Sequence, residues 1–290
     1  MRVARSAGEL ETRPRAVALG TFDGVHLGHR RVLETALAAA PELTPTVVTF
    51  WPHPRIVLGN EVGLLTTLER RLELLADLGV GEALVVEFTP ELARMEPEAF
   101  ADELLRPLGT ELVVAGADFR FGHRRSGDLE TLGRAGFAVR AVDLLPGASS
   151  TAIRELLRGG EVEAAARMLG RPPEVEGTVV SGDARGGTLG YPTANLRVEP
   201  DLLVPAYGIY AGSAEGRRAA VSIGTNPHYG GHERRIEAFL LDFAGDLYGR
   251  RLLVELWRRL RDERAFASEA DLVAQITHDV EETRAAQRPI

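Results

Sequence analysis

A chain of 290 residues, 44% of them hydrophobic, can bury a full core as one large domain or two ordinary ones. A formal net charge of -8 argues against a surface that coats nucleic acid, and the absence of cysteine removes disulfides, thiolate catalysis and Cys-ligated zinc. All 34 basic positions are Arg, so the chain lacks the lysine that a P-loop or a protein kinase places on phosphates, and any Schiff-base lysine.

From Ala16 to about Arg171, short apolar runs alternate with helix-periodic segments, the order of an α/β domain around a parallel sheet. Strands are predicted at Ala16–Leu19, Thr46–Trp51, Ala83–Phe88, Glu111–Ala115 and Phe137–Val142. Helices are predicted at His29–Ala40, Leu68–Leu78, Glu98–Leu108 and Asp128–Ala135, with Ala152–Arg158 and Val162–Leu169 closing this half. Gly170-Arg171-Pro172-Pro173 then breaks the helical pattern and reads as a linker. Runs at Val175–Ser181, Gly208–Ala214, Arg218–Ile223, Arg235–Phe243 and Leu252–Trp257 predict a small antiparallel β-barrel. A last helix, Glu269–Arg284, follows Ser268, a good cap. Domains are therefore expected at 1–171 and 174–290. No run approaches the roughly 20 apolar residues of a membrane span. MRVARSAGELETRPR lacks the apolar middle of a secretory signal. The expectation is a cytoplasmic location with no membrane partner and no nucleic-acid partner.

The first strand runs into Gly20-Thr21-Phe22-Asp23-Gly24-Val25-His26-Leu27-Gly28-His29-Arg30. A strand feeding a Gly-containing turn and a helix presents free N–H groups and a partly positive helix end to phosphate oxygens. His26 and His29 share a face of the first helical turn, and Gly28 is expected to leave room for a phosphate between them. A metal site competes with this reading, but two histidines without a HExxH pattern are too few for zinc. The chemistry that fits is attack by an ionised phosphate on the α-phosphate of a nucleoside triphosphate. Such a nucleophile needs no general base, so catalysis reduces to alignment and charge stabilisation.

Ser149-Ser150-Thr151 precede an apparent helix whose first turn carries Arg154, a set able to cap the helix or to bind phosphates and departing pyrophosphate. Phe50-Trp51-Pro52-His53-Pro54 and Gly116–Gly122 follow strands where ligand loops would lie. In the second half, Thr193 and Asn195 project to one side of an extended segment after the Gly-rich stretch Gly182–Gly187, offering a hydroxyl and a carboxamide oxygen to Mg2+. Glu237 is one carboxylate within an apolar run. Facing a pocket, it could take the proton of an attacking hydroxyl.

With GTFDGVHLGH, TFWPHP, GADFRFG, SSTAIRELLRGG, GTLGYPTANL, PAYGIYAG, VSIGTNP, RRIEAFLLDF and LRDERAF in this order, the chain resembles the bacterial bifunctional riboflavin kinase/FAD synthetase family. The resemblance implies a Rossmann-like nucleotidyltransferase domain that adenylylates FMN to FAD, and a barrel domain that phosphorylates riboflavin to FMN, with ATP as co-substrate of both. On it, His26 and His29 contact ATP phosphates together with Gly20, Phe22, Gly28, Ser150, Thr151 and Arg154. Asp118 and Phe119 lie on the flavin side. Gly182 and Arg185 belong to the kinase's ATP flap, Thr193 and Asn195 hold Mg2+ with ATP, and Glu237 is the base on the riboflavin 5′-hydroxyl. The chain departs from the family at Gly187 and Ala152. Homo-oligomerisation is left open. The alternatives are a nucleotidyltransferase for another phosphorylated acceptor, and a flavin-sensing or RNA-binding regulator on the same scaffold.

Overall fold

A computed structural model describes residues 1–143, 145–182, 190–225 and 234–290. Its contacts divide the chain into two compact units, Met1–Ser150 and Thr151–Ile290.

The first unit is built on six parallel strands: β1 (Arg2–Ala4), β2 (Arg15–Leu19), β3 (Thr44–Trp51), β4 (Glu82–Glu87), β5 (Thr110–Gly116) and β6 (Ala138–Val142). Their order is β1-β4-β3-β2-β5-β6. Each central strand is apolar on both faces because both faces are covered. Val17, Leu19, Val48, Leu84 and Val113 join one buried cluster, whereas their neighbours Ala18, Val47, Ala83 and Val114 join the other. Helices α1 (Leu27–Leu37) and α3 (Leu68–Asp77) bring Val32, Leu33, Leu74 and Leu75 to the second cluster. A short helix, α2 (Pro54–Val57), lies between them in sequence.

The helix predicted over Glu98–Leu108 is present as three consecutive pieces, Pro97–Phe100, Ala101–Leu105 and Arg106–Leu108. Pro107 supplies no N–H for a regular last turn, and Gly109, at φ 70°, ends it. Among the described residues, two strands lie outside the predicted set. β1 sits in a charged N-terminus and is held by pairing with β4 through Arg2, Val3 and Ala4. β8 (Ala194–Arg197) has only four residues.

In the second unit, β7 (Glu174–Val180), β8, β9 (Gly208–Ala214), β10 (Arg217–Thr225), β11 (Arg234–Leu240) and β12 (Arg251–Arg261) form a closed antiparallel barrel in the order β10-β11-β8-β7-β12-β9. Alternation decides what fills it. Ile236, Ala238 and Leu240 of β11 are buried with Val221, Ile223, Val254 and Leu256, while Arg235, Glu237 and Phe239 point to the outer wall. The C-terminal helix, Glu269–Ala285, starts where Ser268 Oγ accepts the Asp271 N–H at 3.1 Å. Helices Ser150–Arg158 and Val162–Leu169 precede the barrel. The latter packs on β12, and Leu157 accepts a hydrogen bond from the Ala206 N–H. The α/β half, the small antiparallel barrel and the C-terminal helix are all present. Among the described residues no helix is long and apolar enough to cross a membrane.

Candidate functional site

In the first unit the chain leaves β2 toward β3 and β4 on one side, and returns to β5 and β6 on the other. The order therefore switches between β2 and β5, and the loops at the carboxyl ends of these strands flank the crevice where such sheets bind ligands. One loop is Gly20–His26; the other starts at Ala117.

The Gly20–His26 turn is tightly built. Phe22 and Val25 take positive φ values of 52° and 40°, and Gly24 one of 83°. A β-branched residue there is strained and must be held by its surroundings. The holding group is Asp23, whose carboxylate accepts the N–H groups of Leu65 and Thr66 at 3.1–3.2 Å and the Thr66 hydroxyl at 3.3 Å. The buried Arg71 guanidinium reaches the same carboxylate and lies 5.5 Å over the Trp51 ring. Phe22 is buried, so its main chain alone can meet a ligand.

His26 is the N-cap of α1, its Nδ1 accepting the His29 N–H at 3.2 Å. The two imidazoles stack with centroids 3.6 Å apart and 17° between planes, and Phe22 meets His29 edge-on at 5.3 Å. Gly28 does not open a space between the rings, as the sequence suggested. A Cβ there would lie 3.1 Å from the His26 ring and 3.2 Å from the Ala148 carbonyl oxygen, so the missing side chain makes room for His26 itself. Gly20 likewise admits the Phe22 ring.

Across the switch point, Asp118 is exposed at the end of β5, and the Phe119 ring stacks on Phe121 at 5.8 Å. His53 caps α2 by accepting the Arg55 N–H at 3.2 Å. Ser150, the last residue of this unit, donates its hydroxyl hydrogen to the Asp23 carbonyl at 3.0 Å. Thr151 and Arg154 belong to the second unit, the first exposed and the second buried.

In the second unit, Asn195 lies directly opposite Glu237 in the β8–β11 ladder. The Thr193 hydroxyl donates to Glu237 Oε2 at 3.0 Å. Arg235, two residues before Glu237 and so on the same face, sets its Nε 2.5 Å from Glu237 Oε1 and 3.0 Å from Asn195 Oδ1. A Cβ at Gly182 would overlap the Asn195 carboxamide, which explains a glycine there. Arg185 and Gly187 lie outside the described residues.

Glu237 also borders a cavity of about 320 Å³ on the outer barrel wall. Ile209, Phe239, Phe266, Leu272 and Ile276 give it apolar walls; Thr193 and Ser222 add hydroxyls. Arg261 and Asp279 line it too, joined by a two-pronged ion pair with a closest approach of 2.7 Å. Arg235, Asp23, Arg71 and the Arg261–Asp279 pair were not among the predicted site residues. Arg235 carried one signal, its i, i+2 spacing from Glu237.

A histidine-bearing turn at the switch point of a parallel sheet, followed by a barrel with the Glu237 carboxylate at a largely apolar cavity, defines a two-part transferase of phosphorus-containing groups. The FAD synthetase family matches residues 9–152 and the riboflavin kinase family residues 169–287. The bifunctional riboflavin kinase/FMN adenylyltransferase of Listeria monocytogenes is 39% identical, covering 93% of this chain and 92% of that one. Those of Bacillus subtilis and Escherichia coli are 37% and 34% identical, covering 92% and 96% of this chain and 90% and 96% of theirs. A Streptococcus pneumoniae crystal structure, described as a macrolide-efflux protein, superposes with a TM-score of 0.88 at 32% identity, covering 98% of this chain and 99% of that one. The chain belongs to the bifunctional riboflavin kinase/FMN adenylyltransferase family, and it carries both activities.

Proposed function

We propose that Glu237 is the base of the kinase step and that His26 and His29 serve the adenylylation step, in domains at 1–171 and 174–290. The kinase reading is carried by one observation: Glu237 stands at the rim of an apolar cavity of small-molecule size, with the Thr193 hydroxyl on one carboxylate oxygen. Riboflavin lies in this cavity with its 5′-hydroxyl toward Glu237. The hydroxyl proton passes to the carboxylate as the oxygen attacks the γ-phosphorus of ATP, and ADP leaves.

Thr193 and Asn195 are assigned to Mg2+ bound with ATP. Both offer hard oxygen donors, and Asn195 Oδ1 already faces a cation, the Arg235 guanidinium. Bound there, Mg2+ supplies charge that neutralises the phosphate oxygens. Gly182 and Arg185 complete this ATP site.

FMN then attacks the α-phosphorus of a second ATP with its already ionised phosphate, and pyrophosphate leaves. His26, His29 and the positive N-terminal end of α1 stabilise the charge on the α-phosphate, with Gly20, Phe22 and Gly28 contributing through their main chain. Ser150, Thr151 and Arg154 are assigned to ATP phosphates, and Asp118 and Phe119 to the flavin. The substrates are small molecules in the cytoplasm. Purified protein given riboflavin, ATP and Mg2+ is expected to accumulate FMN and then FAD by chromatography; formation of neither would defeat the assignment.

A further inference from the structure

We propose that Arg235 is an internal counter-cation that occupies the metal position at Asn195, beside Glu237, when no metal is bound, and that Mg2+ enters only by displacing it. This rests on the assignment of Thr193 and Asn195 to the metal. The strand geometry builds the arrangement. Residues 235 and 237 share the outward face of β11, and the ladder sets Asn195 opposite Glu237. The guanidinium Nε thus contacts Asn195 Oδ1, an oxygen assigned to the metal, at 3.0 Å, and the neighbouring Glu237 Oε1 at 2.5 Å.

A guanidinium donates and has no lone pair to offer a metal, so it cannot share those oxygens with one. Two cations also repel strongly at such separations. Occupation is therefore exclusive. The pair is nonetheless displaceable, because the Arg235 and Glu237 side chains retain 25% and 26% of their exposure and partly solvated ion pairs are weak. The consequence is a site that stays neutral while empty and discriminates against free metal. Removing the guanidinium should tighten binding of a bare divalent ion.

The test is direct Mn2+ binding to the full chain, read by the electron paramagnetic resonance of free Mn2+. The site's contribution is defined as the component lost in Asn195→Ala. In Arg235→Gln that component should bind Mn2+ on the order of tenfold more tightly than in wild type. Arg235→Lys keeps a cation in place and should bind as weakly as wild type. Equal or weaker Mn2+ binding by Arg235→Gln, in protein melting like wild type, overturns the proposal but leaves the metal assignment standing. No loss of Mn2+ binding in Asn195→Ala would remove the metal assignment, and the proposal with it.

Discussion

The carboxylate of Asp23 and the guanidinium of Arg71 meet at 3.5 Å with side-chain exposures of 1% and 0%, beneath the turn that presents His26. Removing one partner of a buried pair strands the other charge, at a cost of about 3 kcal/mol or more. Here the N–H groups of Leu65 and Thr66 lose their acceptor as well. Asp23→Ala is expected to lower the melting temperature of the first unit by several degrees and to abolish FAD formation. FMN formation from riboflavin should persist. Calorimetry and flavin chromatography on one preparation check both.

His26 and His29 should separate in their effects. His26 caps α1, so His26→Ala is expected to cost about 1 kcal/mol of stability as well as FAD formation. His29 contributes only its main-chain N–H to that cap. His29→Ala should therefore lose adenylylation with a smaller drop in Tm, and His26→Asn should recover stability without activity. Identical melting losses in the two alanine variants would contradict the capping role.

Asp279 holds Arg261 at the cavity wall, and Arg261 lies 5.8 Å over the Phe266 ring. Asp279→Asn should loosen this wall and raise the riboflavin KM about tenfold, roughly 1.4 kcal/mol, with a smaller change in kcat. Steady-state kinetics at saturating ATP distinguish this from a general loss of active protein.

The tail after the C-terminal helix gives a pH dependence. Burial pushes the Glu255 carboxyl up, but hydrogen bonds from Arg288, Trp257 and Ser213, with the Arg288 charge, outweigh it and hold the group below the usual carboxylate range. The folded state therefore binds this proton less readily than the unfolded chain. The contact contributes fully above the ordinary Glu value and is lost as pH falls through the lowered one. Arg288→Gln should melt below wild type at neutral pH, by about 1 kcal/mol of stability, with the gap closing in acid. A gap that widens in acid would contradict the sign.

Much of this was legible in the sequence where local pattern and tertiary burial agree. The central strands show as apolar runs because both sheet faces are covered, and Ser268 was readable as a cap because its hydroxyl acts on the next turn. β1 was not, since it is three residues long with only Ala4 buried, and pairing with β4 defines it. The role of Gly28 was inverted, because sequence spacing cannot tell space left for a ligand from space filled by a neighbouring ring. Arg71 lies 48 residues from Asp23, and only the fold brings them together.

On the proposed assignment, two separate sites act in succession, with Glu237 serving the first alone. Glu237→Gln is the most direct test, given riboflavin in one reaction and FMN in another, each with ATP and Mg2+, and followed by flavin chromatography. FMN formation from riboflavin should fall about a hundredfold or more, the scale of a lost general base. FAD formation from supplied FMN should match wild type. Loss of both products in protein that melts normally, or retention of riboflavin phosphorylation, would contradict the account.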